Sequence, residues 1–350
     1  MTVAYLLPSL SQQGPVIVAH DLIVELVRRG VECRVFYFDE AAGPVLSFPC
    51  ETERISFGRR IAFERFDVVH SHGLRPDAYV FVHKPWRGTR TRFVSTIHNF
   101  VLKDFAAQYN RLTAWTAGNL WMALLSRHDM RVVLSRTAMA YYRRWFGRRR
   151  LTYVYNSRSV DPSATLTPEE LEELEAFRGV AAFIGVNAML TPIKGIDLIL
   201  RSMPFIDGVR LWVVGDGKSL DDLRALASSL GVADRVRFAG RRPSAYRYLP
   251  YYDLYLMPSR SEGFPLALLE AVAMRRNVVC SDIPVLKEIF TDEEVTFFEL
   301  ENVPSLVRAI KTALGCDKSA RAYARYVRDY SPERFAENYL RVYRGEEPEY

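Results

Sequence analysis

Short apolar runs alternate with longer amphipathic segments along the whole chain. Runs such as Val3–Leu7 and Val209–Val214 are too short for helices and are typical of buried strands. The segment Val16–Arg29 places Val18, Leu22 and Leu26 on one side, which predicts a helix with one buried face. Repeated alternation predicts an α/β fold of doubly wound parallel sheets, with ligands at the carboxyl ends of the strands. Strands are predicted at residues 3–7, 31–38, 67–72, 92–97, 131–135, 151–155, 180–186, 209–214, 236–239, 254–257 and 277–281.

A polar stretch, Asn156–Thr167, interrupts this alternation near the middle of the chain. It is rich in serine, proline, threonine and aspartate, which is typical of a linker between domains. A chain of 350 residues has room for two domains, which we place at residues 1–160 and 161–330. A last helix is predicted to begin at Ser331, so residues 331–350 form a separate C-terminal segment.

The most informative stretch is Pro258–Ala271, which follows one of the predicted strands. Proline favours the first helical position, so we expect Pro265 there and Phe264, which has no side-chain oxygen, at the cap. A helix N-terminus left open in this way binds anions such as phosphate. Glu262 and Glu270 flank it, and carboxylates accept hydrogen bonds from hydroxyl groups. The combination predicts a nucleotide-sugar site; the alternative interpretation is an exposed loop with solvated acids.

Other polar groups follow neighbouring strands in the same half of the chain. Lys194 with Gly195 follows the strand at 180–186, and Gly215-Asp216-Gly217 follows the strand at 209–214. Because the carboxyl ends of parallel strands meet at one edge of a sheet, we expect these residues to converge with Glu262.

The segment Ser261–Leu266 together with Glu270 resembles the Glu-x7-Glu signature of the family 4 (group 1) retaining glycosyltransferases. The resemblance implies the GT-B fold, in which two Rossmann-like domains face each other across a cleft and a terminal helix crosses back. It also implies an N-terminal acceptor-binding domain and a C-terminal nucleotide-sugar-binding domain. The pattern is similar to members that build bacterial surface polysaccharides such as lipopolysaccharide, capsule or O-antigen.

The resemblance assigns roles to individual residues. It implies that Glu262 contacts the donor sugar, that Glu270 holds the ribose hydroxyls and that Lys194 binds the diphosphate. It also implies that His98, at the end of a strand, faces the sugar; the alternative is a histidine that only closes the strand by hydrogen bonding. The catalytic candidates are therefore His98, Glu262 and Lys194. Further donor-binding groups are expected from Gly14, Gly215, Gly263, Phe264, Pro265 and Leu266.

The remaining histidines and the cysteines suggest no metal or redox centre. His70 and His72 are interpreted as structural or acceptor-side residues, and the six histidines lack ligand spacing. Cys33 and Cys280 fall in predicted strands and are expected to be buried thiols in a reducing compartment. The first strand–helix–strand segment, residues 3–38, lacks Gly-x-Gly-x-x-Gly, so a dinucleotide cofactor is not expected. No metal is expected either, because the histidines lack ligand spacing.

One position departs from the family pattern. The family pairs its phosphate-binding lysine with an arginine five or six residues earlier, where this chain has Ala188 and Met189. Arg241 or Arg242, after the strand at 236–239, is predicted to supply the missing charge. Arg260 is closer in sequence to the phosphate site, but we expect it to point to solvent.

Charge is distributed unevenly. Residues 1–160 carry a net charge of +11 and residues 161–350 a net charge of −5, so the first half is expected to face something anionic. Arginines are interleaved with aromatic residues in Tyr141–Arg150, and the segment Trp115–Leu125 is almost wholly apolar. This favours an anionic membrane surface, with a solvated basic face as the alternative; no nucleic-acid motif accompanies it.

The expected function is retaining transfer of one sugar, hexosyltransferase-like, from a nucleotide-diphosphate sugar to a glycan or lipid-linked glycan. A cytoplasmic location, with attachment to the inner face of the plasma membrane, agrees with a first segment that lacks a basic signal region. Two alternatives stay open: a non-catalytic nucleotide-sugar or glycan-binding protein, and a GT-B epimerase or phosphorylase.

Overall fold

Thirteen strands alternate with twelve α-helices in the part of the chain that the structure describes. The structure is a computed structural model that describes residues 1–41, 43–103, 111–147 and 150–350. The strands are β1 Thr2–Leu7, β2 Glu32–Tyr37, β3 Glu51–Arg54, β4 Val68–His72, β5 Arg92–Ile97, β6 Met130–Val133, β7 Leu151–Tyr153, β8 Ala182–Asn187, β9 Val209–Val214, β10 Val236–Gly240, β11 Leu254–Met257, β12 Val278–Ser281 and β13 Thr296–Phe298. The helices are α1 Gly14–Arg28, α2 Leu74–His83, α3 Arg111–Leu125, α4 Arg136–Tyr142, α5 Pro168–Arg178, α6 Ile196–Ser202, α7 Leu220–Ser229, α8 Leu266–Ala273, α9 Pro284–Ile289, α10 Val303–Gly315, α11 Ser319–Asp329 and α12 Pro332–Arg344.

Contacts divide the chain into two units, one of residues Met1–Arg158 with Tyr330–Tyr350 and one of Ser159–Asp329. The first unit holds a seven-stranded sheet in the order β3-β2-β1-β4-β5-β6-β7, and all its pairings are parallel. The order reverses direction between β1 and β4. The predicted α/β fold with doubly wound parallel sheets is confirmed for this unit.

The second unit repeats the design with six parallel strands in the order β10-β9-β8-β11-β12-β13. Its order reverses between β8 and β11, which opens a crevice at the carboxyl ends of these two strands. The core beneath it packs apolar residues of the sheet against α6 and α10, such as Ile184, Leu211, Ile199 and Ile310. Fold topology therefore selects the loops after β8 and β11 as the ligand-binding position of this unit.

A buried series of side-chain hydrogen bonds joins the terminal helix α12 to the first sheet. The hydroxyl groups of Tyr343 and Tyr5 are 2.8 Å apart, and Tyr343 also lies 2.7 Å from Nδ1 of His70. Nε2 of His70 lies 2.8 Å from the hydroxyl of Thr96, which in turn lies 2.8 Å from the hydroxyl of Tyr339. Buried polar groups are costly unless paired, so this series of hydrogen bonds specifies how α12 docks on the first unit.

Several helix boundaries differ from the sequence-based prediction. Helix α8 begins at Leu266 and not at Pro265, which takes the cap position instead of Phe264. The apolar segment Trp115–Leu125 lies in α3, Arg111–Leu125. Residues 104–110 lie outside the described ranges, as do residues 148 and 149 of the basic segment Tyr141–Arg150. Within the described ranges, none of the helices combines the length and apolarity that crossing a bilayer requires.

Candidate functional site

The loop after β8 carries Lys194 into the crevice of the second unit. Residues Pro192–Lys194 form one turn of 3-10 helix that ends at Gly195, whose φ of +67° lies in the left-handed region. A Cβ atom on Gly195 would lie 2.0 Å from the carbonyl oxygen of Pro258, in the loop after β11. Only glycine permits this backbone approach, and the approach brings the two loops at the switch point together.

Lys194 and Glu262 form an ion pair across this contact. Nζ of Lys194 lies 2.7 Å from Oε1 of Glu262, although 68 residues separate them. The hydroxyl of Ser259 donates a second hydrogen bond to the same oxygen at 2.6 Å, and Ser281 at the end of β12 fixes the carbonyl of Ser259. The Glu262 side chain is 9% exposed and that of Lys194 is 29% exposed, so the pair lies at the floor of the crevice and remains accessible.

Helix α8 presents an open N-terminus beside this pair. Its cap residue, Pro265, is in extended conformation, and no side chain caps the helix. The first turn holds no acidic residue, so nothing on the helix itself competes for the positive end of its dipole. Glu270 lies one turn further along. Burial, together with the charges of Glu270 and Glu262, raises the pKa of Tyr255, which places both carboxylates near one buried tyrosine on β11.

The loop after β9 packs against the loop after β8. A Cβ on Gly215 would lie 1.8 Å from the carbonyl oxygen of Ala188, and one on Gly217 would lie 2.4 Å from that of Leu190. The backbone N–H of Gly215 also donates to the carbonyl of Gly240 at the end of β10, at 2.8 Å. The expected convergence of the loops around 194, 215 and 262 is thus present in the structure.

The three arginines considered as substitutes for the missing one differ in their partners. Arg260 does not point to solvent: its guanidinium forms two hydrogen bonds with Asp197, at 2.8 and 2.9 Å, and a further pair with Glu301. Arg242 donates to Glu173 at 3.0 Å. Arg241 is exposed, and the described residues give it no ion pair. The expectation for Arg260 was wrong because two carboxylates, distant in sequence, lie within its reach.

In the first unit, His98 follows β5 and is paired with another histidine. Nδ1 of His72 lies 2.8 Å from Nε2 of His98, and their rings are 5.1 Å apart. Burial lowers the pKa of His98 to about 3, and that of His72 falls well below its usual value for the same reason. Both rings are therefore neutral at physiological pH. The second ring nitrogen of His98 can donate or accept one hydrogen bond with a neutral ligand group.

Gly14, the other residue of this unit expected to bind the donor, is the first residue of α1. Its φ is not positive, and a Cβ there would meet no atom within 4 Å. The backbone therefore does not require glycine at this position, and the geometry leaves its predicted role as a prediction.

Sequence reasoning missed the groups that position the predicted ones. Ser259 and Ser281 hold Glu262, and Asp197 holds Arg260. Serine and aspartate are common in loops, so composition gives no signal for them; only the strand order brings them together. No group of His, Cys, Asp and Glu side chains suited to a metal occurs among the residues that the structure describes.

Comparison with known proteins gives a consistent match over most of the chain. Residues 170–330 match the family described as glycosyl transferases group 1, and residues 13–161 match glycosyltransferase family 4. The O-antigen biosynthesis glycosyltransferase WclY of Escherichia coli is 30% identical over 323 residues, which cover 89% of each chain.

Solved structures share the architecture at low sequence identity. HepE of Anabaena in complex with UDP superposes with a TM-score of 0.79 at 16% identity, covering 98% of this chain and 99% of that one. WaaG, a glycosyltransferase involved in lipopolysaccharide biosynthesis, superposes with a TM-score of 0.71 at 16% identity, covering 97% and 99%. These similarities concern the fold alone.

Proposed function

The chain belongs to the group 1 glycosyltransferases and is an enzyme of the GT-B fold, and from this premise we propose that it acts in O-antigen or lipopolysaccharide synthesis. It transfers one sugar from a nucleoside-diphosphate sugar to a glycan or lipid-linked glycan. Its relative WclY is named for O-antigen biosynthesis, which supports this class of acceptor. UDP is the first nucleotide to test, because HepE was crystallised with it.

The observation that carries the proposal is the grouping of Lys194, Glu262 and the open N-terminus of α8 at the switch point of one sheet. The N–H groups of the first turn and Lys194 suit a diphosphate, because each offers a hydrogen-bond donor with positive charge. Glu262 and Glu270 suit the donor's hydroxyl groups. We assign the sugar to Glu262, which lies nearer Lys194, and the ribose to Glu270.

The reaction breaks the bond between the anomeric carbon and the diphosphate oxygen while an acceptor hydroxyl oxygen bonds to the same carbon. The leaving diphosphate takes up the negative charge and, in the same-face mechanism, the proton of the acceptor hydroxyl. That path leaves the anomeric configuration retained. Lys194 and the α8 N-terminus stabilise the developing charge, an effect typically worth about 3–4 kcal/mol for one well-placed donor. Cations of the chain fill this role, so we propose a metal-independent transfer that EDTA leaves unchanged.

Binding at an anionic membrane surface completes the proposal. Helix α3 exposes Leu112, Trp115 and Leu120, with 72%, 66% and 60% of their surface accessible. The first half of the chain carries a net charge of +11. Exposed apolar side chains beside clustered cations suit the inner, anionic leaflet of a plasma membrane, where lipid-linked acceptors would be reached from the cytoplasm.

Two assays in sequence distinguish a transferase from the alternative functions. A thermal-shift panel of nucleotide-sugars first identifies the donor, and release of the free nucleoside diphosphate is then followed with and without lipid-linked glycan extracts. A transferase releases the diphosphate with acceptor present and labels the glycan. Conversion of the donor sugar without release of the nucleoside diphosphate indicates an epimerase. Turnover that depends on phosphate indicates a phosphorylase, and binding without turnover indicates a non-catalytic protein.

Two alanine variants test the assigned roles. Glu270→Ala leaves ribose hydroxyls unpaired, so it should weaken bare nucleotide and full donor alike, by about 1–3 kcal/mol. Glu262→Ala should spare the bare nucleotide and reduce affinity for the sugar donor and turnover. Calorimetry with nucleotide and nucleotide-sugar distinguishes the two, and the reverse pattern would overturn the assignment.

A further inference from the structure

A pocket of about 370 Å³ lies in the first unit, between α3 and the segment that follows α4. Its lining combines two arginines, Arg131 and Arg150, with the apolar side chains of Met122, Trp145 and Phe146, and none of the described residues that line it is a carboxylate. The polar side chains of Asn119 and Ser126 complete the wall. A basic and aromatic lining without an acid suits an anionic ligand that also carries an apolar part.

Arg131 is the unusual residue of this pocket because it is charged and only 2% exposed. Its Nε and Nη2 atoms both donate to the carbonyl of Leu125, whereas Nη1 donates no hydrogen bond to the residues that the structure describes. Burial and then the charge of Arg150 lower the pKa of Arg131 to about 10, against the charges of Asp129 and Asp77, which raise it. Arg131 therefore remains protonated at neutral pH.

The nearby carboxylates are already occupied. Asp129 pairs with Lys84 at 2.7 Å and accepts from the N–H of Phe93 at 2.8 Å. Asp77 accepts hydrogen bonds from the hydroxyls of two serines and from the indole of Trp121, all within 2.8 Å. Neither forms an ion pair with Arg131. A buried cation without a paired anion is costly, and a bound anion would remove that cost.

The pocket continues into the exposed apolar surface of α3. Residues 112, 115, 119 and 122 follow one another at intervals of three and four, so they share one face of the helix, and residue 126 continues this spacing just past its end. Leu112 and Trp115 are exposed at one end of this face, and Asn119, Met122 and Ser126 line the pocket at the other. A ligand with a phosphate in the pocket can thus have its apolar part beside Leu112 and Trp115.

We propose that this pocket binds the phosphate group of a membrane phospholipid, with Arg131 and Arg150 on the phosphate and Trp145 against the adjoining glycerol. The inference rests on the proposed attachment to an anionic membrane and deepens it. The basic surface attracts the protein to the membrane in general, and the pocket adds one defined site for a single phospholipid. A phosphate ester suits the two arginines, because two of its oxygens can accept hydrogen bonds from the N–H groups of a guanidinium.

The test compares two arginines that differ in position and not in charge. Arg150→Gln removes a cation from the pocket, and Arg143→Gln removes an exposed one that does not line it. On phosphatidylglycerol vesicles, Arg143→Gln should lower the partition coefficient about fivefold, the usual effect of one surface cation. Arg150→Gln should lower it by at least about tenfold more, since a charge-assisted hydrogen bond is lost as well. Arg131→Gln should behave like Arg150→Gln; if it does not fold, Arg150→Gln carries the test alone.

Soluble competitors identify the source of the phosphate. At constant ionic strength, glycerol 1-phosphate should reduce wild-type binding to the level of Arg150→Gln and leave that variant unaffected. Equal losses in the two glutamine variants, no vesicle binding by the wild type, or equal displacement by inorganic phosphate would each overturn the proposal. Transfer to a water-soluble acceptor, measured without vesicles, should be the same in wild type and Arg150→Gln. Absence of transfer by the wild type to both water-soluble and lipid-linked acceptors would refute the proposed function without changing the vesicle result.

Discussion

At the floor of the crevice, the carboxylate of Glu262 neutralises the ammonium group of Lys194. The proposed donor site therefore lacks net positive charge from this pair. The two side chains lie 2.7 Å apart, so their formal charges cancel until a ligand draws Lys194 away. The α8 N-terminus contributes about half a positive charge, less than a diphosphate carries in negative charge. With Ala188 and Met189 in place of the family's arginine, we expect the proposed donor site to need a further cation. Arg241 is the candidate that remains, because Arg242 and Arg260 are paired with carboxylates.

We therefore expect Arg241→Gln to reduce turnover by on the order of 10²-fold, comparable to losing one oxyanion donor. Arg242→Gln is the matched control, since it lies next in sequence and its guanidinium is already engaged by Glu173 and by the carbonyl of Ala239. It should keep near-normal kinetics. Lys194→Ala should cost at least as much as Arg241→Gln, as measured by steady-state release of the nucleoside diphosphate. If both arginine variants are active and Lys194→Ala is not, lysine acts alone.

At the scale of elements, two loops and one helix form the second unit's site, and backbone contact sets their spacing. The approach of Gly195 to the carbonyl of Pro258 holds the 3-10 turn of Lys194 against the loop that leads into α8. The geometry of the Lys194–Glu262 pair therefore depends on a residue that has no side chain.

Gly195→Ala should destabilise the protein by about 2–5 kcal/mol, combining the left-handed backbone with a clash against rigid main chain. Gly231 provides a matched control: its φ of +66° is almost the same as the +67° of Gly195, but a Cβ there meets nothing within 4 Å. Gly231→Ala should cost only about 1–2 kcal/mol. Urea unfolding of both variants measures the difference, and donor affinity should fall in Gly195→Ala alone. Equal destabilisation would contradict the role of the Pro258 contact.

At the scale of the whole molecule, ionisable groups buried in the first unit make stability depend on pH. Burial lowers the pKa of His98 and His128 to about 3, and those of His70 and His72 well below the usual value. Asp77 shifts in the opposite sense: burial raises its pKa to about 6, against hydrogen bonds from two serines and Trp121 that lower it. The histidines are neutral in the folded state and take up protons on unfolding below pH 6.5.

Stability from the histidines is fully present above about pH 6.5 and is lost as the pH falls toward 3. At pH 5, His98 and His128 alone should remove about 4 kcal/mol, whereas protonation of Asp77 restores only about 1 kcal/mol between pH 7 and 5. The first unit should therefore become less stable in mild acid. His128→Gln should reduce this loss by about 2 kcal/mol, and Asp77→Asn should increase it by about 1 kcal/mol. Urea unfolding from pH 5 to 7 provides the test; a flat profile would contradict it.

The sequence by itself determined what depends on local pattern. Apolar periodicity defined the strands and helices closely enough to predict two parallel sheets, and the residues around Pro265 predicted the uncapped N-terminus of α8. The capping box at the start of α5 is equally local: the side chain of Thr167 accepts from the N–H of Glu170, and the carboxylate of Glu170 accepts from the N–H of Thr167. These features involve neighbours a few residues apart, where rotation per residue fixes which side chains share a face.

Only the tertiary structure decided which residues become partners. Lys194 pairs with Glu262, Arg260 with Asp197 and Glu301, and His72 with His98. Each of these contacts joins residues of different strands, helices or loops. The same holds for the pocket around Arg131, formed by α3, β6 and the segment after α4. Such pairs follow from strand order and loop packing, which depend on the balance of burial over the whole unit and leave no periodic trace in the sequence.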